Sequence, residues 1–220
     1  MGYFDKGLFD FLEGLRRNNN REWFQKNKER YERDVKEPFL DFISDAGPRL
    51  RKISPQLVAD PRPSGGSLFR IYRDVRFSKD KSPYKTHAGA HFPLGGKGVH
   101  GPGYYFHVEP GQCFVAGGMW MPEPPVLELI RKRIADRPAE WKSARGKPLD
   151  HGEDSLKRPP RGFDPDHPMI EDIKRKSFTS SQTLTNKQIL GPDLMNTFIG
   201  ACREIVPFMK FLASASGARW

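Results

Sequence analysis

Residues 104–121 read Tyr-Tyr-Phe-His-Val-Glu-Pro-Gly-Gln-Cys-Phe-Val-Ala-Gly-Gly-Met-Trp-Met. Two alternating runs meet at Pro110-Gly111. Proline presets φ for a turn and glycine accepts positive φ after it, so the spacing predicts a hairpin of strands over 104–109 and 112–121. With Glu109 opposite Gln112, His107 faces Phe114 and Tyr105 faces Ala116. One side of the hairpin is then Tyr104, Phe106, Val108, Cys113, Val115 and Met119, all apolar. The other carries Tyr105, His107, Glu109 and Gln112 beside the small Ala116 and Gly118. A sheet with one apolar and one polar face is antiparallel and buries a single side.

Working outward, the same period of two recurs upstream. In 85–92, Thr86, Ala88, Ala90 and Phe92 alternate with Lys85, His87, Gly89 and His91. In 67–77, Phe69, Ile71, Val75 and Phe77 alternate with Arg70, Tyr72, Asp74 and Arg76. Together these segments predict an antiparallel sheet of four or more strands, with a turn at 78–84 and a glycine-rich loop at 93–103. Residues 1–53 instead carry helical periodicity in Phe4, Leu8, Phe11, Leu12 and Leu15 and again in Phe39, Phe42, Ile43 and Leu50. Asn20 is a candidate N-cap and Pro38 suits a first helical turn, whereas Pro48 predicts a kink or an early end. A loop follows at 54–66. Beyond Pro125 comes a helix bearing Val126, Leu129, Ile130 and Ile134. An irregular stretch over 136–168, with a short helix near Trp141, precedes one or two helical turns at 169–176. A last helix from about Pro192 is ended or kinked at Pro207. The fold class is α+β, with helices packed on the apolar face of the sheet. The expected organisation is a single domain, 1–220, made of a helical part (1–53), the sheet (67–121) and a helical and irregular part (122–220).

The chain has 220 residues, 37 Lys and Arg against 27 Asp and Glu, and a net charge of +10. With 21 glycines, 20 prolines and two cysteines, the composition excludes collagen, coiled coil and disulfide frameworks. Cys113 and Cys202 form no CxxC pair, which suits a reduced, cytoplasmic setting. No apolar run reaches the roughly 18 residues of a membrane span, and the opening MGYFDKG has no signal-peptide pattern. The basic balance suggests an anionic partner, either a small molecule or nucleic acid.

The densest charge lies between Arg70 and Lys85, where Arg70, Arg73, Arg76, Lys79, Lys81 and Lys85 are opposed by only Asp74 and Asp80. Strand parity puts Arg70, Asp74 and Arg76 on the face that also receives Lys85, His87, Tyr105, His107 and Glu109. Arginine offers a planar fork that matches phosphate or carboxylate. The leading expectation is therefore a phosphate or other anion site in which Arg70, Arg76, Lys81 and Lys85 hold the charge. Tyr84 and His87 would add hydrogen bonds. Were chemistry to follow, His107 and Glu109 would act as acid and base, with Asp74 either catalytic or orienting an arginine. Two alternatives stand beside it. The same face, with its tyrosines, could bind nucleic acid, or the arginines could form an internal ion-pair network. Parity places Arg73 on the apolar side, where it would pair structurally with a buried carboxylate.

No cofactor and no metal site is expected. His87 and His91, four residues apart on a strand, lie roughly 13 Å from each other, although His107 on a neighbouring strand could join one of them. Cys113 and Cys202 read as core thiols. GGKGVHGPG at 95–103 is neither a phosphate loop by motif nor followed by a helix.

The string Arg70-x-x-Arg73-Asp74-x-Arg76-Phe77, followed by Asp80-Lys81 and Tyr84-Lys85, resembles the signature of an uncharacterised bacterial and fungal family, domain of unknown function 2461. FDFLEGLRRNNNREWFQKNKERYE (9–32) and DPDHPMIEDIKRKSF (164–178) are similar to that family's pattern as well. The resemblance implies one intact domain centred, structurally or functionally, on the arginine signature. It implies no reaction.

Overall fold

A computed structural model describes residues 2–95, 101–146 and 155–220; part of the glycine-rich loop and part of the 136–168 stretch lie outside them. Helix α1 (Lys6–Arg17) starts where the Asp5 carboxylate accepts the Gly7 amide at 2.7 Å. It buries Leu8, Phe11, Leu12 and Leu15. Asn20 caps α2 (Arg21–Lys26) by accepting the Trp23 amide at 2.9 Å. After α3 (Lys28–Tyr31) and one π-helical turn over Glu32–Lys36, α4 runs from Glu37 to Arg51, with proline in its first turn. Pro48 neither ends nor shortens α4. It sits on the exposed side of the last turn, where water can serve the carbonyl that loses its partner, while Ala46 and Leu50 keep the buried stripe intact.

The sheet is antiparallel and four-stranded, in the order β1-β2-β3-β4. Its strands are β1 (Ala88–Pro93), β2 (Gly103–Val108), β3 (Cys113–Met119) and β4 (Phe178–Leu184). The hairpin register is the expected one: Tyr105 pairs with Ala116 and His107 with Phe114. The outer strand differs from expectation. Residues 67–77 run beside β1 but meet it only through isolated bridges, Leu68 to Ala90 and Tyr72 to Tyr84. Four residues on one side of those bridges span six on the other, so the register slips and no ladder forms. Without a ladder the alternation fails: Ile71 is buried, but Phe69 and Phe77 are 45% and 95% exposed.

The fourth strand is supplied instead by Phe178–Leu184, paired to β3 from Met119–Phe178 through Cys113–Leu184. Helix α5 (Pro124–Asp136), α6 (Pro138–Arg145) and α7 (Ile170–Ile173) precede it, and α8 (Asn186–Ile189), α9 (Leu194–Glu204) and α10 (Val206–Ser216) follow. The break between α9 and α10 falls just before Pro207, which sits in the first turn of α10.

Helices cover the apolar face. Phe106 lies 4.9 Å from Phe42 and 5.7 Å from both Phe39 and Phe198. The Tyr104 hydroxyl donates to the Cys202 carbonyl at 2.9 Å. Burial of each such aromatic contributes about 1.5–3 kcal/mol. Gly117 allows the α9–α10 turn to approach, since a Cβ there would sit 2.5 Å from the Ile205 side chain. A second apolar cluster joins α5, α6 and α10 around Trp141, whose indole N–H donates to Asp172 at 2.8 Å. Among the described residues, no helix is long and apolar enough to cross a membrane.

Candidate functional site

The face of the sheet opposite these helices carries the chemistry. Alternation along β2 brings Tyr105, His107 and Glu109 to that one side while Phe106 and Val108 enter the core. The Tyr105 hydroxyl is 3.0 Å from His107 Nδ1, and His107 Nε2 is 3.4 Å from Glu109 Oε2. The second carboxylate oxygen, Oε1, accepts the Thr86 hydroxyl at 2.8 Å. A neutral tyrosine can only donate to Nδ1 if that nitrogen is bare, so the pattern assigns the His107 proton to Nε2, facing the carboxylate. The chain thus runs Tyr105 to His107 to Glu109, with Thr86 closing it.

Packing fixes this chain. Phe114, the direct cross-strand partner of His107, stacks on its ring at 4.6 Å and 13°. Tyr105 lies flat across β1 because residue 89 is glycine; a Cβ there would come within 2.3 Å of the tyrosine oxygen. His91 similarly lies over Gly103. The His87 ring faces His107 at 4.5 Å.

Burial sets the protonation states. The Tyr105 phenol is pushed up to about 12 by burial and by the charge of Glu109. His107 is pulled below its ordinary value by burial, against the opposing pull of Glu109. His87 falls to about 4 through burial and the neighbouring His107 and Lys85, opposed by Glu109. Near neutral pH both imidazoles are uncharged. One nitrogen of His87, one of His107 and a carboxylate oxygen of Glu109 all lie within 4.8 Å of one another, which makes them the group that could hold a metal ion among the described residues.

A groove of about 1070 Å³ runs from this chain across β3 to β4. Phe69, His91, Tyr105, Phe114 and Trp120 supply its aromatic surface, and Ala116 and Gly118 its narrow floor. Thr179, Ser181 and Thr183 present their side of β4 along it, and Arg175 reaches its wall. Phe69, Trp120 and Met121 are 45%, 67% and 57% exposed, and Met121 holds a left-handed φ of 44° while its amide donates to Ser177 at 2.9 Å. A second hollow, of about 570 Å³ by Tyr3, Asp45 and Arg49, has its polar groups already engaged, Tyr3 on Asp45 and Arg49 on Asn196.

The arginine-rich segment does not converge on this face. Arg70 is exposed. Arg76 and Asp74 grip each other at 2.7 Å in solvent, so Asp74 orients an arginine and does not meet the His107 chain. Lys81 donates to the Val75 carbonyl at 3.0 Å. Tyr84 is buried, stacked on Phe24 at 4.2 Å, with its backbone bound on both sides by the Asn19 side chain. Arg73 pairs with Asp80, which also takes the Ser82 amide and hydroxyl. That carboxylate is 60% exposed rather than buried, because the segment is a surface loop and not a strand over the core. Of the cations expected to hold an anion, Lys85 comes nearest the groove. It donates to the Arg70 carbonyl at 3.0 Å and stands 5.2 Å over the Phe69 ring. Burial and the nearby Arg70 lower its ammonium below the usual value.

Sequence parity had already grouped Tyr105 with His107 and Glu109. The β4 wall of the groove carried no such signal, because Thr179–Thr183 contains no apolar residue to mark a strand.

A search of protein families finds that residues 7–211 match the family described as "Conserved hypothetical protein (DUF2461)". The chain belongs to that family, as its motifs suggested. No curated protein and no solved structure matches the chain.

Proposed function

We propose that the groove on the open face of the sheet binds a small organic anion, and that Tyr105, backed by His107 and Glu109, is the acid–base group that meets it. One observation carries this reading: Tyr105 belongs both to the groove and to the hydrogen-bonded chain behind it. A ligand proton can pass to the tyrosine oxygen as the hydroxyl proton moves to His107 Nδ1. The imidazolium so formed is held by Glu109. The apolar body of the ligand would lie against Phe69, Phe114 and Trp120. Its charge is favoured by Lys85 beside Phe69, by Arg70 and Arg175, and by a chain of net charge +10. Phosphate and carboxylate are the classes of anion in question. Two unpaired, buried cysteines fit a reducing compartment such as the cytoplasm. Arg73 and Arg76, each engaged by a nearby carboxylate, are assigned to shaping the loop.

The test is a thermal-shift screen of the wild type and Tyr105→Phe in chelator. The panel holds phosphates, phosphosugars, nucleotides, carboxylates and short oligonucleotides, each at two salt concentrations. A ligand at 100 times its Kd adds about 2.7 kcal/mol. The reading expects a salt-resistant shift from a small anion that shrinks in Tyr105→Phe. A shift from oligonucleotides alone, lost at the higher salt, transfers the site to nucleic acid. Silence across the panel overturns the reading.

A further inference from the structure

We propose that His87, His107 and Glu109 form a binding site for a divalent transition-metal ion of the zinc or ferrous class. His107 Nε2 and Glu109 Oε2 stand 3.4 Å apart. Two ligand atoms bound tetrahedrally at 2.0–2.1 Å are separated by about 3.3–3.4 Å, so this pair already spans one edge of a zinc-type coordination shell. The third ligand atom, on His87, lies within 4.8 Å of both. It needs only a side-chain rotation to close the triangle.

Three further features favour an ion. Among the described residues, no hydrogen-bond partner is recorded for either ring nitrogen of His87, although the residue is half-buried. The outer support is in place, as Tyr105 bonds the other nitrogen of His107 and Thr86 bonds the other oxygen of Glu109. Such partners orient metal ligands and fix their tautomers. The ligands also sit on rigid elements: His107 on β2 with Glu109 just past its end, and His87 immediately before β1. The stack of Phe114 holds the His107 ring plane.

Two imidazoles and one carboxylate leave a coordination position for water or substrate, as in catalytic rather than structural sites. With the ion on Nε2, His107 carries its proton on Nδ1 and donates to the Tyr105 oxygen. The tyrosine hydroxyl hydrogen is then free to point into the groove. The metal inference stands apart from the anion reading, whose screen is run in chelator, so either can fail alone.

The test titrates chelator-treated, full-length protein with Zn²⁺ by calorimetry and with Co²⁺ by visible absorption. The proposal expects one ion per chain and the intense Co²⁺ band of a four- or five-coordinate site. Thr86→Val, which removes only outer support, weakens binding by about 10–100-fold. Glu109→Gln and His87→Ala weaken it further, whereas His91→Ala leaves it unchanged. Each variant is first shown to melt cooperatively. Should Glu109→Gln spoil folding, His87→Ala, outside the strands, carries the test alone. Binding of wild-type strength in the folded His87→Ala protein overturns the proposal, as does the absence of stoichiometric binding by the wild type.

Discussion

The hydroxyl of Tyr105 reaches Nδ1 of His107, two residues further along the same strand, at 3.0 Å. The contact exists because Tyr105 is laid across Gly89 of the neighbouring strand, and it ties the groove to a buried imidazole and its carboxylate. Four predictions follow from how that contact is built and from what surrounds it.

Tyr105→Phe keeps the aromatic packing against Phe69 and Phe114 but leaves His107 Nδ1 without its donor. The protein should fold normally and lose about 1 kcal/mol in urea denaturation, the net worth of one hydrogen bond. A loss of several kcal/mol would show that the tyrosine is chiefly a packing residue.

Gly89→Ala puts a methyl 2.3 Å from the Tyr105 oxygen and 2.8 Å from its ring, where both cannot fit. Stability should fall by about 1–3 kcal/mol. The double variant with Tyr105→Ala should recover part of that loss, because removing the ring removes the clash. Additive losses in the double-mutant cycle would contradict the geometry.

Burial depresses His91 below its ordinary value, and His87 and His107 move the same way. In the unfolded chain these groups take up protons from about pH 6.5 downward, whereas the folded chain resists. The unfolded state therefore binds more protons, and stability is full above that range and declines as the pH falls through it. Urea denaturation of the metal-free protein should show this decline, and His91→Phe should make it shallower. Stability that is flat or rises on acidification contradicts the assignment.

Arg73→Ala should barely move the urea midpoint, because its partner Asp80 is exposed and remains bonded to Ser82. A pair in solvent contributes little. A large drop would restore the picture of a buried carboxylate stranded without its cation.

Much of the site was legible in the hairpin. Pro110-Gly111 set the turn, the turn set the register, and parity then placed Tyr105, His107 and Glu109 on one face. Four antiparallel strands were also legible, but one of them was misplaced. Residues 67–77 alternate well enough to read as a strand, yet alternation says nothing of register, and the two-residue slip between the Leu68 and Tyr72 bridges strips the segment of its ladder. With the strand lost, the convergence of Arg70, Arg76 and Lys81 is lost as well. The true fourth strand was silent because β4 is an edge, buried through Phe178, Ser180 and Leu184 and exposed in between. His87 and His107 were not paired in sequence because they lie on separate strands. Only the observed β1–β2 register, Gly89 opposite His107, brings their rings together.

The most direct measurement is the imidazole ¹⁵N–¹H spectrum of chelator-treated protein near neutral pH, in wild type and in Tyr105→Phe. The account predicts a neutral His107 with its proton on Nε2 and a bare Nδ1 whose resonance moves when the tyrosine hydroxyl is removed. A His107 that is doubly protonated, or that carries its proton on Nδ1 and is indifferent to Tyr105→Phe, would contradict it.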